Sequence, residues 1–103
     1  MTQVIEQNRN KLAELCRKYC VSRLDVFGSA VASDFDEQTS DIDFLVEFDK
    51  SVKQNRFDNF FALHEELQKL FKRPVDLFEP GGLKNPYFID SVNQTRKKIY
   101  AAS

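Results

Sequence analysis

The sequence predicts an α+β domain, in which a small sheet of at least three short strands packs against helices. Two observations carry this. Three β-prone runs, Ser22–Phe27, Asp41–Phe48 and Pro74–Phe78, are bounded by Gly, Pro or polar turn residues. Three longer stretches around them repeat apolar residues at helical spacing instead. With 103 residues, 42% of them apolar and 30% charged, the chain suits one folded domain spanning residues 1–103 with a single modest core.

Taken in order, Val4, Ile5, Leu12, Leu15, Cys16 and Tyr19 form a stripe that predicts a helix from Thr2, as N-cap, to about Cys20. Glu6, Arg9, Lys11, Glu14, Arg17 and Lys18 are its solvated face. Cys16 and Cys20 fall on one side of it and cannot by themselves close a zinc site, so both read as ordinary thiols. The strand Ser22–Phe27 follows and ends at Gly28-Ser29. Asp25 within it reads as structural or solvent-facing. Residues 33–40, SDFDEQTS, are polar and acidic and predict a loop.

In the next strand side chains alternate, so Asp41 and Asp43 share one face while Ile42, Phe44, Val46 and Phe48 share the other. A second long helix, about Asn55–Lys72, carries Phe57, Phe60, Phe61, Leu63, Leu67, Leu70 and Phe71 on a broad apolar face. With ten phenylalanines in the chain, some are candidates for an exposed partner surface. His64, the only histidine, has no nucleophile or metal ligand at a recognisable spacing and reads as a packed or half-exposed helix residue. Pro74–Phe78 puts Val75 and Leu77 on one face and Asp76 on the other. Strands usually exclude aspartate, so Asp76 calls for a reason. Glu79-Pro80-Gly81-Gly82 turns the chain. Asn85 as N-cap and Pro86 at the first helical position start a last helix carrying Phe88, Ile89, Val92 and Ile99, with Arg96, Lys97 and Lys98 at its C-terminal dipole.

The chemistry concentrates where a strand ends in Gly28-Ser29 and the next opens with Asp41-Ile42-Asp43. Two carboxylates roughly 4 Å apart repel by about 4 kcal/mol at an effective dielectric near 20, and hydration, protonation or a cation relieves this. An all-oxygen site of this kind suits a hard ion such as Mg²⁺, which brings phosphates with it. The spacing alone is weak evidence, because with nine aspartates roughly one Asp-x-Asp arises by chance, and Asp34-Phe35-Asp36 is one. Context separates the two pairs: only Asp41-Ile42-Asp43 heads an alternating strand beside a Gly-Ser corner.

Jointly VFGS, SDIDFLVEF and RPVDLFEP, with the closing helix, resemble the nucleotidyltransferase superfamily that includes DNA polymerase beta. The small size is similar to its minimal branch, the MNT proteins. The resemblance runs from about Val21 to Tyr100. It implies the nucleotidyltransferase fold, a small mixed β-sheet of at least three strands packed against helices. It also implies transfer of a nucleoside monophosphate from a triphosphate. In it Gly28 and Ser29 bind the nucleotide's phosphates, Asp41, Asp43 and Asp76 are catalytic and hold Mg²⁺, and Asp76 takes the proton of the attacking hydroxyl. Minimal members commonly follow Gly-Ser with a basic residue and soon a glycine, where this chain has Ala30 and Ser33. The missing charge-assisted contact is of a kind worth roughly 1.5–3 kcal/mol. Lys53, Arg73 and Lys84 are cations that could replace it.

The minimal branch implies an adenylyltransferase that attaches AMP from ATP to a HEPN-type toxin, as the antitoxin of a two-gene pair. A chain this short leaves no room for its own acceptor pocket, which makes a protein an economical acceptor. Two alternatives stay open: a catalytically weak nucleotide-binding module that inhibits its partner by contact, and transfer to a small molecule such as an aminoglycoside. Oligomeric state, acceptor and base preference are not written in the residues. Net charge is −1, without the basic footprint of direct DNA binding. No apolar run approaches a membrane span and the N-terminal residues lack the order of a signal peptide, so the expected location is cytoplasmic.

Overall fold

An amphipathic helix must lay its apolar stripe on something, and in this chain every stripe is laid on one sheet. The computed structural model describes residues 3–31, 41–52 and 56–102. Helices α1 (Gln3–Gln7) and α2 (Arg9–Lys18) lead into β1 (Val21–Phe27), a 3-10 turn at Gly28–Ala30 and β2 (Ile42–Phe48). Helix α3 (Arg56–Phe71), β3 (Val75–Phe78), a 3-10 turn at Pro80–Gly82, α4 (Pro86–Thr95) and β4 (Lys97–Ala101) follow. The sheet order is β3-β2-β1-β4. β1 runs antiparallel to both β2 and β4, and β2 runs parallel to β3, so the sheet is mixed.

Alternation sorts the strands onto two faces. Leu24, Val26, Ile42, Phe44, Val46 and Val75 join Ile5, Leu12 and Cys16 from α1 and α2 and Leu63, Leu67 and Phe71 from α3 in the main buried cluster. The opposite face carries a smaller cluster of Phe27 and Leu45 with Val92 of α4, flanked by Phe78 and Leu83. The expected apolar stripes are therefore the ones that pack. On α3, Phe57 and Phe61 stay out of the core at 71% and 64% exposure. None of the described helices is long and apolar enough to cross a membrane.

Three expectations need correction, and two fall outside the described residues. The first predicted helix is broken at Asn8, whose side-chain amide donates to the Val4 carbonyl at 2.8 Å. Asparagine competes with the helix backbone in this way, yet Ile5, Leu12 and Cys16 keep one buried stripe across the break. Cys20 lies beyond α2, exposed, with φ of 58°, and so does not share a helix side with Cys16. Burial pushes the Cys16 thiol up to about 12, which keeps it protonated. The last helix stops at Thr95, and the stretch read as its basic C-terminus is β4 on the edge of the sheet. Arg96, at φ −59° and ψ 135°, turns the chain out of the helix, and pairing with β1 satisfies the backbone that a longer helix would have bonded internally. Thr2 and the loop at residues 33–40 lie outside the described residues.

The predicted cap of α4 is present. The Asn85 side chain accepts from the backbone N–H of Tyr87 at 2.9 Å and of Phe88 at 3.4 Å, with Pro86 opening the helix.

Candidate active site

The site begins with strand register. Asp43 on β2 stands opposite Phe27 on β1 and opposite Asp76 on β3. Because side chains alternate, Asp43 and Asp76 share the sheet face that carries Leu45, Phe78 and α4. Asp43 is half-buried, whereas Asp41 and Asp76 are exposed. The three predicted carboxylates thus lie at one end of β2 and β3, although they are not equally gathered. Among the described residues no three His, Cys, Asp or Glu side chains are preassembled into a group that could hold a metal ion. What the fold builds is the pair Asp43–Asp76, with Asp41 two residues before Asp43 at the open rim.

Gly28 closes one side of the pair. Its φ is +73°, a left-handed conformation that glycine adopts freely. A Cβ added there would stand 2.8 Å from Oδ2 of Asp43, closer than a side chain tolerates. The backbone therefore approaches the carboxylate as only glycine allows. Ser29 follows in the same 3-10 turn; the placement of its side chain lies outside what the structure describes. Ala30 is fully buried in the main core, so a small apolar residue at this position serves packing.

Electrostatics mark Asp43. Burial first, then a hydrogen bond with Asp76, the negative charge of Asp76 and that of Asp41 push its carboxyl up to about 6. Among the described residues the charged groups that shift it are carboxylates. Two clustered carboxylates without a counter-charge share a proton or take a cation, and an all-oxygen donor set suits a hard divalent ion. The residues present therefore fit Mg²⁺ by their chemistry.

Helix α3 holds Asp76 in place from the edge. Gln68 Oε1 accepts the Val75 backbone N–H at 3.2 Å, and His64 Nε2 bonds the Val75 carbonyl. Both contacts cover the free edge of β3 one residue before Asp76. His64 is accordingly the packed, half-buried helix residue that was expected.

The residues that sequence reasoning missed lie behind the corner. Asp25 is fully buried on β1 and is bonded by Arg96 Nε at 2.7 Å and by Arg23 Nε at 3.0 Å. It is structural and not solvent-facing. The exclusion of aspartate from strands, which singled out Asp76, applies equally to Asp25 between Leu24 and Val26. Thr95 accepts the Gly28 backbone N–H on its Oγ1 at 2.9 Å, and nothing in the sequence signals this contact across 67 residues. Of the cations considered for the phosphates, Arg73 directs Nε to the Phe71 carbonyl, Lys84 is exposed before α4, and Lys53 lies outside the described residues. A cleft of about 970 Å³ is lined by Phe48, Arg56, Phe57, Glu79 and Gly81 among others, at the opposite end of β2 from Asp41 and Asp43.

A carboxylate pair set by strand register beside a left-handed glycine corner is the arrangement expected of a nucleotidyltransferase. The family model described as "Nucleotidyltransferase domain" matches residues 9–99. The chain belongs to the nucleotidyltransferase domain family. A relative from Methanocaldococcus jannaschii, named "Putative protein adenylyltransferase MJ0128", is 38% identical over 80 residues, 78% of either chain. A solved structure described as a "putative minimal nucleotidyltransferase" matches with a TM-score of 0.71 at 25% identity, over 90% of each chain. A solved complex of an MNT antitoxin with a tri-AMPylated HEPN toxin from Shewanella oneidensis matches with a TM-score of 0.64 at 19% identity, over 95% of this chain and 73% of that one. At that identity the likeness is one of fold. The nucleotidyltransferase and the mixed α+β fold expected from the sequence both stand.

Proposed function

We propose that this nucleotidyltransferase moves AMP from ATP to a hydroxyl of a protein partner, and that the partner is the HEPN-type toxin of a pair in which this chain is the antitoxin. The observation that carries the catalytic part is the register of Asp43 with Asp76 against the Gly28 backbone. The partner is supported by a fold shared with an MNT antitoxin bound to an AMPylated toxin. The protein acceptor is supported by the relative named as a protein adenylyltransferase.

In this reading Asp41, Asp43 and Asp76 hold Mg²⁺. Bound there, the ion would supply positive charge against the triphosphate. Gly28 and Ser29 set the backbone against the phosphates. The acceptor oxygen bonds to the α-phosphorus while the bond to the β-phosphate oxygen breaks, and pyrophosphate leaves. Asp76, exposed at the mouth of the pair, receives the hydroxyl proton. The pairwise repulsion that raises Asp43 in the free protein is what the cation relieves.

Purified protein with Mg²⁺, labelled ATP and the co-expressed partner should give a partner whose intact mass rises by AMP increments, and Asp41→Asn with Asp43→Asn should abolish the increment. A partner left unlabelled yet still inhibited would replace transfer by plain binding. Resistance to an aminoglycoside in cells expressing the chain, with no protein labelled, would move the acceptor to a small molecule.

A further inference from the structure

We infer that Thr95 is a positioning residue for the phosphate-binding corner, acting through the Gly28 backbone; the inference rests on the transferase reading above. Two tethers tie the end of α4 to the end of β1. Thr95 Oγ1 accepts the Gly28 N–H at 2.9 Å and donates to the Ser91 carbonyl at 3.2 Å, so one hydroxyl links the last turn of α4 to the corner. Its neighbour Arg96 grips Asp25 with Nε at 2.7 Å, three residues before Gly28, and its own N–H closes on the Val92 carbonyl at 2.8 Å. Asp25 has no exposed surface, so this second tether is anchored in the interior.

The consequence falls on the pair of carboxylates. The Gly28 backbone lies so near Asp43 that an added Cβ would stand 2.8 Å from its Oδ2, so a shift of the corner changes the gap between the phosphates and Asp43. Positional errors of about 1 Å around a reacting centre cost up to about a hundredfold in rate. The hydroxyl of Thr95 reaches no carboxylate of the site in the structure. It acts on the geometry of Gly28 and leaves the chemistry to others.

Thr95→Val keeps the shape and removes the acceptor, whereas Thr95→Ser keeps the acceptor. With the co-expressed partner as acceptor, Thr95→Val should lower kcat for AMP transfer about tenfold while KM for ATP stays within about threefold. Thr95→Ser should lie within about twofold of the parent. In nucleotide-free protein, amide exchange at Gly28 should speed up in Thr95→Val and stay slow in Thr95→Ser. If Thr95→Val does not fold, Thr95→Ala carries the same readouts. A parent that transfers AMP and a Thr95→Val variant that matches it in kcat would overturn the inference alone, as would Gly28 exchange unchanged by the substitution. A parent that transfers nothing would overturn the transferase reading and the inference with it.

Discussion

Replacing Asp43 by asparagine should destroy transfer and yet stabilise the metal-free protein near neutral pH. The carboxyl is pushed up to about 6 by burial and by Asp76 and Asp41, against about 3.9 for an unfolded aspartate. A group with a raised folded-state value favours the folded state while protonated, and that contribution is lost as pH rises through about 6. The gap of about 2 units caps the effect at about 3 kcal/mol. Asp43 is only half-buried, so solvent screening brings the expected gain of Asp43→Asn to about 1–2 kcal/mol at pH 7.5. In a domain of this size that is about 5–10 °C in Tm. Thermal melts followed by circular dichroism from pH 4 to 8 in a chelator provide the test. Parent and variant should melt together near pH 4 and diverge by pH 7. Added Mg²⁺ should raise the parent far more than the variant. Curves that run parallel across this range, or a variant less stable at pH 7.5, would refute the account of Asp43 as a strained and uncompensated carboxylate.

Gly28→Ala forces a Cβ to 2.8 Å from Asp43 in a left-handed backbone, and should cost about 1–2 kcal/mol in chemical denaturation together with most of the transfer rate. Arg96→Ala leaves the buried Asp25 with Arg23 as its remaining cation among the described residues, and should cost about 2–4 kcal/mol in urea unfolding. Lys72 follows α3 in a left-handed conformation with φ of 55°, so Lys72→Gly should raise Tm by a few degrees, from about 0.5–1 kcal/mol, without touching transfer.

What was legible in the chain followed from periodicity. The alternation Ile42, Phe44, Val46 against Asp43 and Leu45 identifies both the buried and the site face of β2, and Val75 against Asp76 does the same for β3. The turn residues and the Asn85-Pro86 cap marked element ends because their conformations are set within a few residues. β4 was not legible. Lys97–Ala101 is an edge strand with no strict alternation of burial, since Ile99 and Tyr100 are both half-buried next to exposed lysines. Its strand state depends on pairing with β1, which is a non-local fact. Thr95 and Arg96 were hidden for the same reason: their partners Gly28 and Asp25 lie some seventy residues away.

Charge compensation on one sheet face separates structure from function here. Asp25, Asp43 and Asp76 all project toward the α4 side, yet their surroundings differ in kind. Asp25 is enclosed, and two guanidiniums cancel its charge. Burying such a charge is tolerable only when it is paired, and breaking the pair is costly. Asp43 is drawn halfway into the same layer, but the described groups that act on it are other carboxylates. A fold able to place Arg96 on Asp25 could equally have placed a cation between Asp43 and Asp76. Leaving that pair open raises Asp43 above an ordinary carboxylate, and a cation entering there would offset the repulsion. Of the two aspartate arrangements that strand register brings to this face, the uncompensated one beside Gly28 is therefore the one proposed to take an ion and its phosphates.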